Sequence, residues 1–196
     1  MNKKYAGIGS RKTPILFQYL FQDIGSILGE KGFLLRSGHA FGADFAFELG
    51  ASKVNGKREI FIPWNGYNNS TEIVVEDPPI LEQARKIAES IHPFWNGIST
   101  GAKRLHTRNI FQITGSTLND PVDFVLCWTQ DSTQKGGTRT AIIYAEQLNI
   151  PVYNFGNFDL KFSDELTQEL RDYSDNDPRG IFQKYLEKSV DIPPLF

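Results

Sequence analysis

The sequence has little of what several classes of protein require. Its 196 residues include one cysteine, Cys127, so no disulfide can form within the chain. The three histidines lack the spacing of metal ligands, and we predict no metal site and no cofactor. No apolar run reaches membrane-spanning length, and no apolar signal-peptide core follows Met1. These absences predict a cytoplasmic protein with a reduced thiol and no membrane partner.

An excess of charge of either sign is also missing. The net charge is -2 and the isoelectric point is about 5.9. Strong non-specific binding of nucleic acid requires a basic surface that releases counterions, so the slightly negative net charge disfavours it. Binding of nucleic acid would then require a local basic patch. A hydrophobic fraction of 40% in a chain of this length is typical of one folded domain with a sizeable core.

Short apolar runs alternate with segments of helical periodicity along most of the chain. This order predicts an α/β protein with a Rossmann-like, doubly wound sheet that is mainly parallel and carries helices on both faces. The predicted strands are 5–8, 33–35, 59–62, 122–127 and 150–153, and the predicted helices are 14–28, 42–54, 78–91, 102–113, 136–149, 164–173 and 179–188.

The chain divides by composition into two parts. Residues 1–156 hold the alternating pattern and form the predicted Rossmann-like domain. Residues 157–196 are more polar, and we expect a C-terminal helical extension packed on the same domain. Within the first part, the segment 64–77 is rich in Asn, Gly and aromatics, and irregular segments of this length are often functional or mobile.

Three glycine-bearing turns lie between an apolar run and a helical pattern, at 7–10, 37–44 and 136–138. Glycine lets backbone N–H groups approach an anion closely, and a helix N-terminus adds unpaired N–H groups and a positive dipole end. In a doubly wound sheet, ligands bind where the strand order reverses, which places the first and fourth strands on either side of the site. The turns therefore predict one composite site for a nucleotide-sized anion.

Each candidate residue has a chemical role and a structural alternative. Ser10 and Arg11 can contact phosphate or lie in an exposed loop. His39 can hydrogen-bond a base or sugar or act as a general acid–base. Asp44 can bind a ribose hydroxyl, exchange a proton, or only balance the helix dipole. The predicted ligand-binding residues are Gly9, Ser10, Arg11, Ser37, Gly38, His39, Phe41, Gly42, Asp44, Arg108, Asn109, Gly136, Gly137, Thr138 and Thr140.

Aromatic residues near the predicted cleft are candidates for stacking on a base. Trp64, Tyr67 and Trp128 follow strands or lie in irregular loops, and Trp95 lies in another such loop. Base–aromatic stacking contributes about 1–3 kcal/mol per base. Packing in the core is the alternative for each of them.

Four blocks of the sequence resemble, in the same order, those of the DNA-processing protein A family of the SLOG superfamily. They are Ala6–Arg11, Ser37–Asp44, Thr107–Asn109 and Gly136–Ala141. The resemblance covers roughly residues 4–156 and extends, more distantly, to the Lonely Guy phosphoribohydrolases. It implies a Rossmann-like domain, a nucleotide or single-stranded DNA as partner, and self-association into a homo-oligomer, most simply a dimer.

Two departures from these families bear on function. The DNA-processing proteins have an arginine linked to nucleic-acid binding where this chain has Phe41. The Lonely Guy enzymes have a catalytic glutamate where this chain has Ile143, and Glu146 follows almost one helical turn later. The resemblance is therefore closer in backbone pattern than in side-chain chemistry.

Three functions are consistent with the sequence. The leading hypothesis is a protein that binds a nucleotide or nucleotide-derived ligand through its glycine-rich loops. The first alternative is a hydrolase of the nucleotide N-glycosidic bond, a phosphoribohydrolase-like enzyme with Asp44, Glu48 or Glu146 as the catalytic carboxylate. The second is a recombination mediator that binds single-stranded DNA, as the resemblance implies.

Overall fold

The centre of the protein is a parallel sheet whose strand order reverses in its middle. The structure is a computed structural model that describes residues 3–133, 136–174 and 177–190. Its sheet order is β3-β2-β1-β4-β5, and all pairings are parallel. The strands are β1 (Lys4–Gly9), β2 (Leu34–Ser37), β3 (Arg58–Ile60), β4 (Phe124–Trp128) and β5 (Val152–Asn154). This confirms the predicted Rossmann-like, doubly wound fold.

Helices cover both faces of the sheet because successive strand residues point to opposite sides. In β1, Tyr5 packs into the core beneath one helical layer, whereas Ala6 and Ile8 belong to the core on the other face. The first layer contains α1 (Ile15–Glu30), α2 (Ala43–Lys53), α6 (Ser163–Asp172) and α7 (Arg179–Val190), and the second contains α3 (Pro78–Ile91), α4 (Thr100–Thr114) and α5 (Arg139–Gln147).

The observed strands lie close to the predicted ones, with a difference at the third. The apolar run 59–62 predicts a strand that ends at residue 62, but β3 ends at Ile60. Phe61 instead forms an isolated parallel bridge with Ile73, which lies in the segment predicted to be irregular. The pairing partner is twelve residues away in sequence, beyond the reach of a local pattern.

Arg36 in β2 is fully buried, with 1% of its surface exposed. Its Nε donates to Glu59 Oε2 at 2.6 Å, and its Nη2 donates to Asp120 Oδ2 at 2.5 Å. Lys4 also pairs with Asp120. Arg36 thus ties β2 to its neighbour β3 and to the loop before β4, and it takes no part in the phosphate-loop pattern that it precedes.

The C-terminal helices share a core with the layer of α1 and α2. Leu166 and Leu170 of α6 and Phe182 and Tyr185 of α7 are buried in the same hydrophobic cluster as Phe124 of β4. Within the described ranges, no helix is long and apolar enough to cross a membrane.

Candidate functional site

A cleft opens at the carboxyl ends of β1 and β4, where the strand order reverses. Gly9 is paired with Trp128 at the last position of both strands. The cleft has a volume of about 650 Å³. Its walls come from the loops after β1 and β4, the start of α2, the middle of α4 and the turn before α5. This is the position that the topology predicts for a ligand.

Ten of its lining residues belong to three short stretches of the chain. The first loop supplies Gly9, Ser10, Arg11 and Lys12, α4 supplies Arg108, Asn109 and Gln112, and the turn before α5 supplies Gly136, Gly137 and Thr138. Asp44 from the first turn of α2 completes the polar floor. The predicted blocks are therefore brought together. Residues that the sequence did not predict also line the cleft, among them Lys12, Gln112 and, from the loop after β4, Thr129, Gln130, Asp131 and Thr133.

Asp44 is a buried carboxyl, with 3% of its surface exposed. Its Oδ1 accepts the backbone N–H of Gly9 at 2.9 Å, which joins the start of α2 to the end of β1. Burial raises the pKa of Asp44 to about 6, while the Arg108 guanidinium and the Gly9 N–H act in the opposite direction. A proton can therefore be exchanged at this carboxyl near neutral pH.

Arg108 lies beside Asp44 on the floor of the cleft and is 5% exposed. Its Nη1 donates to the carbonyl of Phe61 at 3.3 Å and lies 3.6 Å from Asp44 Oδ2. Burial lowers the pKa of the guanidinium, and Asp44 raises it. The Nε atom is buried with no hydrogen-bond partner among the described residues. An unpaired buried donor is costly, and the same guanidinium lines the cleft.

Gln112 lies one helical turn after Arg108, and its side-chain amide connects the polar groups on the floor of the cleft. With its amide oxygen toward Arg108, it accepts from Arg108 Nη1 at 3.2 Å and from the N–H of Gly38 at 3.0 Å, and its nitrogen donates to Asn109 Oδ1 at 3.1 Å. The opposite orientation donates to Asp44 Oδ2 at 3.3 Å instead. The first orientation satisfies more groups. The i, i+4 spacing from Arg108 is the sequence signal that could have identified Gln112.

The glycines of the site have different roles. A Cβ at Gly9 would lie 2.6 Å from Ala43 Cβ, and one at Gly42 would lie 2.4 Å from the carbonyl oxygen of Ser10. These two glycines allow α2 to pack against the first loop. Gly136 and Gly137, in contrast, have no heavy atom of the described residues within 4 Å of the Cβ position. Their backbone is open on the side of the cleft, as a phosphate-binding turn requires.

Positive charge and donors lie around the rim. Arg11 and Lys12 are exposed. Arg11 Nη2 donates to the hydroxyl of Tyr67 at 3.2 Å, which holds the guanidinium at the edge of the cleft. Across from them, Asn109 Nδ2 donates to the carbonyl of Gly137 at 2.7 Å and fixes the turn at the N-terminus of α5. The rim therefore combines side-chain cations with a helix terminus.

Several predicted residues lie outside the lining of the cleft. Ser37 is buried and its Oγ donates to the carbonyl of Gly7 at 2.6 Å, so it links β2 to β1. His39 has φ +54° and its Nδ1 lies 2.8 Å from Glu48 Oε2. Phe41 is 65% exposed, and its neighbour Ala40 is the residue that lines the cleft.

The aromatic candidates for stacking also differ in position. Trp128 is 6% exposed and packs against Phe17 of α1 with ring centroids 6.0 Å apart, in the core on the far side of β4. Tyr67 is buried and meets Trp64 edge-on. Trp95 is buried in the core that contains α3 and α4. None of these rings lines the cleft in the described part of the chain.

A second cavity of about 470 Å³ shares Gly136 and Gly137 with the cleft. Thr140 lies here, and its Oγ1 is 2.7 Å from Nδ1 of His106. Burial lowers the pKa of His106 to about 4, and His92, Arg108 and Arg139 act in the same direction. His106 is therefore neutral at physiological pH.

The remaining candidate carboxylates are not in the cleft. Glu48 pairs with His39, and Glu146 is exposed near the end of α5. Of the three predicted catalytic carboxylates, only Asp44 lines the site. Among the described residues, no group of three or more His, Cys, Asp or Glu side chains is placed to hold a metal ion.

Comparison with known proteins places few constraints on this arrangement. No family model and no curated protein matches the chain. One similar solved structure is DNA processing protein A from Helicobacter pylori, a protein described for its unique single-stranded DNA binding mode. The two are 15% identical with a TM-score of 0.45, over 95% of this chain and 81% of the other. The fold assignment therefore depends on the strand order and the helical layers described above.

Proposed function

We propose that this protein binds a nucleotide or nucleotide-derived ligand in the cleft between β1 and β4. The observation that carries the proposal is the guanidinium of Arg108, which lines a cleft at the switch point of the sheet and whose Nε has no partner among the described residues. A bound ligand that presents oxygen acceptors would pair with this guanidinium, which lines the cleft.

The rim supports a ligand with a phosphate group. Gly136 and Gly137 leave the backbone at the start of α5 open, and Arg11 and Lys12 add positive charge on the opposite side. The volume of about 650 Å³ is within the range of small-molecule sites. The phosphate would lie at the rim, and the uncharged part of the ligand would lie deeper, over Arg108 and Asp44.

The test is a thermal-shift and calorimetric titration with adenine, guanine, cytosine and uracil nucleotides and the matching nucleosides. We expect at least one nucleotide to raise the melting temperature, and to bind more tightly than its nucleoside. Replacement Arg108→Met should reduce affinity about 10- to 100-fold, the usual range for hydrogen bonds to a charged group. The matched control is Arg104→Met, which removes an exposed arginine of the same helix.

Two outcomes would contradict the proposal. The first is the absence of any stabilising nucleotide, and the second is an equal effect of Arg108→Met and Arg104→Met. Arg108→Lys keeps the charge without the planar fork, and its intermediate affinity would separate a binding role from a loss of folding. Steeply salt-dependent binding of single-stranded DNA, with no response to nucleotides, would favour the DNA-binding alternative.

Hydrolysis of the N-glycosidic bond is the second candidate, and Asp44 is the observation that favours it. This carboxyl lines the cleft, and its pKa of about 6 suits proton transfer near neutral pH. Chromatography of the same nucleotide incubations would then show free base, which Asp44→Asn should abolish. Unchanged nucleotides together with a raised melting temperature would limit the function to binding.

A further inference from the structure

Asp44 has acceptor capacity that the described residues do not use. One oxygen accepts the Gly9 N–H at 2.9 Å, but the other lies 3.6 Å from Arg108 Nη1, beyond a direct hydrogen bond. When Gln112 faces Arg108 and Asn109, it also gives nothing to Asp44. A carboxylate has about four acceptor positions. The second oxygen is thus available to a hydrogen-bond donor of the ligand.

The carboxylate cannot move far to find another partner. Asp44 is 3% exposed, and its backbone carbonyl oxygen lies 3.3 Å from Ser37 Oγ of β2. The hydroxyl of Ser37 donates mainly to the carbonyl of Gly7 in β1, at 2.6 Å, and shares its one hydrogen with Asp44. The start of α2 is therefore tied to two adjacent strands. A site held in this way is arranged before the ligand arrives.

The charge of Asp44 limits which part of a nucleotide can lie against it. A phosphate would be repelled, so the partner must be a neutral group with a hydrogen-bond donor. Arg108 beside it has only donors and requires an acceptor. A pair of adjacent hydroxyl groups fits both requirements, since one can donate to the carboxylate while the other accepts from the guanidinium. The sugar of a ribonucleotide carries such a pair.

We infer that Asp44 and Arg108 together bind the ribose diol, so that the cleft takes ribonucleotides in preference to 2′-deoxyribonucleotides. This inference depends on the nucleotide site proposed above. Removal of the 2′-hydroxyl leaves a buried charged acceptor without its donor, and such a loss costs about 10- to 100-fold in affinity. Asp44 is then a specificity-determining residue.

The experiment compares matched ligands that differ in one hydroxyl group. Calorimetry at pH 7.5 would give the affinities of the ribonucleotide that binds in the panel above and of its 2′-deoxy and 3′-deoxy forms. We expect the wild-type protein to bind the ribonucleotide at least about 10-fold more tightly than the 2′-deoxy form. Asp44→Asn should bring this ratio close to one. Asp23→Asn, the same change at an exposed position of α1, should leave it unaltered.

The possible outcomes distinguish failure of the ribose assignment from failure of the proposed nucleotide site. Equal binding of both sugars by the wild-type protein overturns the ribose assignment and leaves a nucleotide site intact. A ribose preference that survives in Asp44→Asn also overturns it, because another group then reads the sugar. Absence of binding by every nucleotide overturns both. Where Asp44→Asn fails to fold, equal binding of both sugars by the wild-type protein would still overturn the inference.

Discussion

Arg108 can occupy its position only because residue 38 is a glycine and has no side chain. A Cβ at Gly38 would lie 1.1 Å from Arg108 Nη1 and 2.4 Å from Gln112 Nε2. The guanidinium therefore occupies the volume that any other residue would fill. Gly38 contributes to the site by making room for a side chain from α4, rather than by bringing its own backbone to the ligand.

The sequence predicts both Gly38 and Arg108 as site residues, but it does not predict that they are in contact. A glycine in a turn indicates close approach, but the approaching group comes from 70 residues later in the chain. Phe41 and His39 show the same limit. Their place in the loop predicts that both side chains line the pocket. In the structure, however, Phe41 points outwards and His39 pairs with Glu48.

The raised pKa of Asp44 predicts a pH dependence of ligand binding. In the complex inferred above the diol donates to the ionised carboxylate, so affinity for the ribonucleotide should fall about tenfold per pH unit below about 6. The groups that face this carboxyl are Arg108, Gln112 and the Gly9 N–H, with Glu48 farther away. Calorimetry between pH 5 and 8 would measure the effect, together with proton release on binding near pH 6.

A phosphate monoester titrates in the same range, so the comparison requires Asp44→Asn. In Asp44→Asn the phosphate of the ligand still titrates, whereas the carboxyl of residue 44 is gone. Only the pH dependence that comes from the protein is therefore lost. Superimposable pH profiles for wild type and Asp44→Asn would contradict the role of this carboxyl.

At the scale of elements, α1 and α2 are in unusually close contact. A Cβ at Gly25 would lie 2.7 Å from the carbonyl oxygen of Phe47, and one at Gly50 would lie 2.1 Å from that of Gln22. Ser26 Oγ also donates to the carbonyl of Gly50 at 2.9 Å. The two helices thus approach backbone to backbone, and this contact fixes the start of α2, where Asp44 lies.

This contact predicts that Gly50→Ala destabilises the protein. Alanine favours a helix by about 1 kcal/mol, but a methyl group in a filled interface costs about 1–3 kcal/mol and forces the helices apart. We expect a lower urea midpoint and weaker nucleotide binding, since Asp44 shifts with α2.

The matched control is Gly180→Ala in α7, where no heavy atom of residues 3–133, 136–174 and 177–190 lies within 4 Å of the Cβ position. Its midpoint should stay the same or rise. If both alanine variants were equally stable, the close approach of α1 and α2 would not limit the fold.

Much of the element order follows from local patterns. Apolar runs bounded by Gly, Pro or polar residues predicted the strands because a strand buried on both faces reads as a continuous apolar segment. Trp128 could not be placed in this way. It ends β4 next to a loop, and only the alternation of Phe124, Leu126 and Trp128 toward α1 shows that its ring belongs to the core.

At the scale of the whole molecule, the outer surface of α1 and α2 is apolar. Six large side chains are between 37% and 65% exposed: Ile15, Leu16, Tyr19, Phe41, Phe45 and Leu49. Lys53 Nζ donates to Gln22 Oε1 across the two helices, so their exposed stripes are neighbours. Monomeric proteins rarely expose contiguous apolar patches of more than a few hundred Å².

We expect this surface of α1 and α2 to mediate self-association of the chain. The double replacement Ile15→Glu and Tyr19→Glu should shift the protein toward the monomer, because burial of charge in an apolar interface is costly. Size-exclusion chromatography with light scattering over a range of concentrations would measure it. Leu81→Glu on α3, a similarly exposed leucine on the other face, is the control.

A monomeric wild-type protein at all concentrations would contradict this expectation. So would a dimer that the double variant leaves intact, since the interface must then lie elsewhere.

The single cysteine can report on local opening of the central sheet. Cys127 is 0% exposed in β4 at the middle of the sheet, and burial raises the pKa of its thiol. Thiolate is the reactive form, so an alkylating reagent cannot modify the closed protein. Labelling requires the separation of β4 from a helical layer. Its rate, followed by mass spectrometry without any engineered probe, therefore measures how often the central sheet opens and how much a bound ligand suppresses that motion.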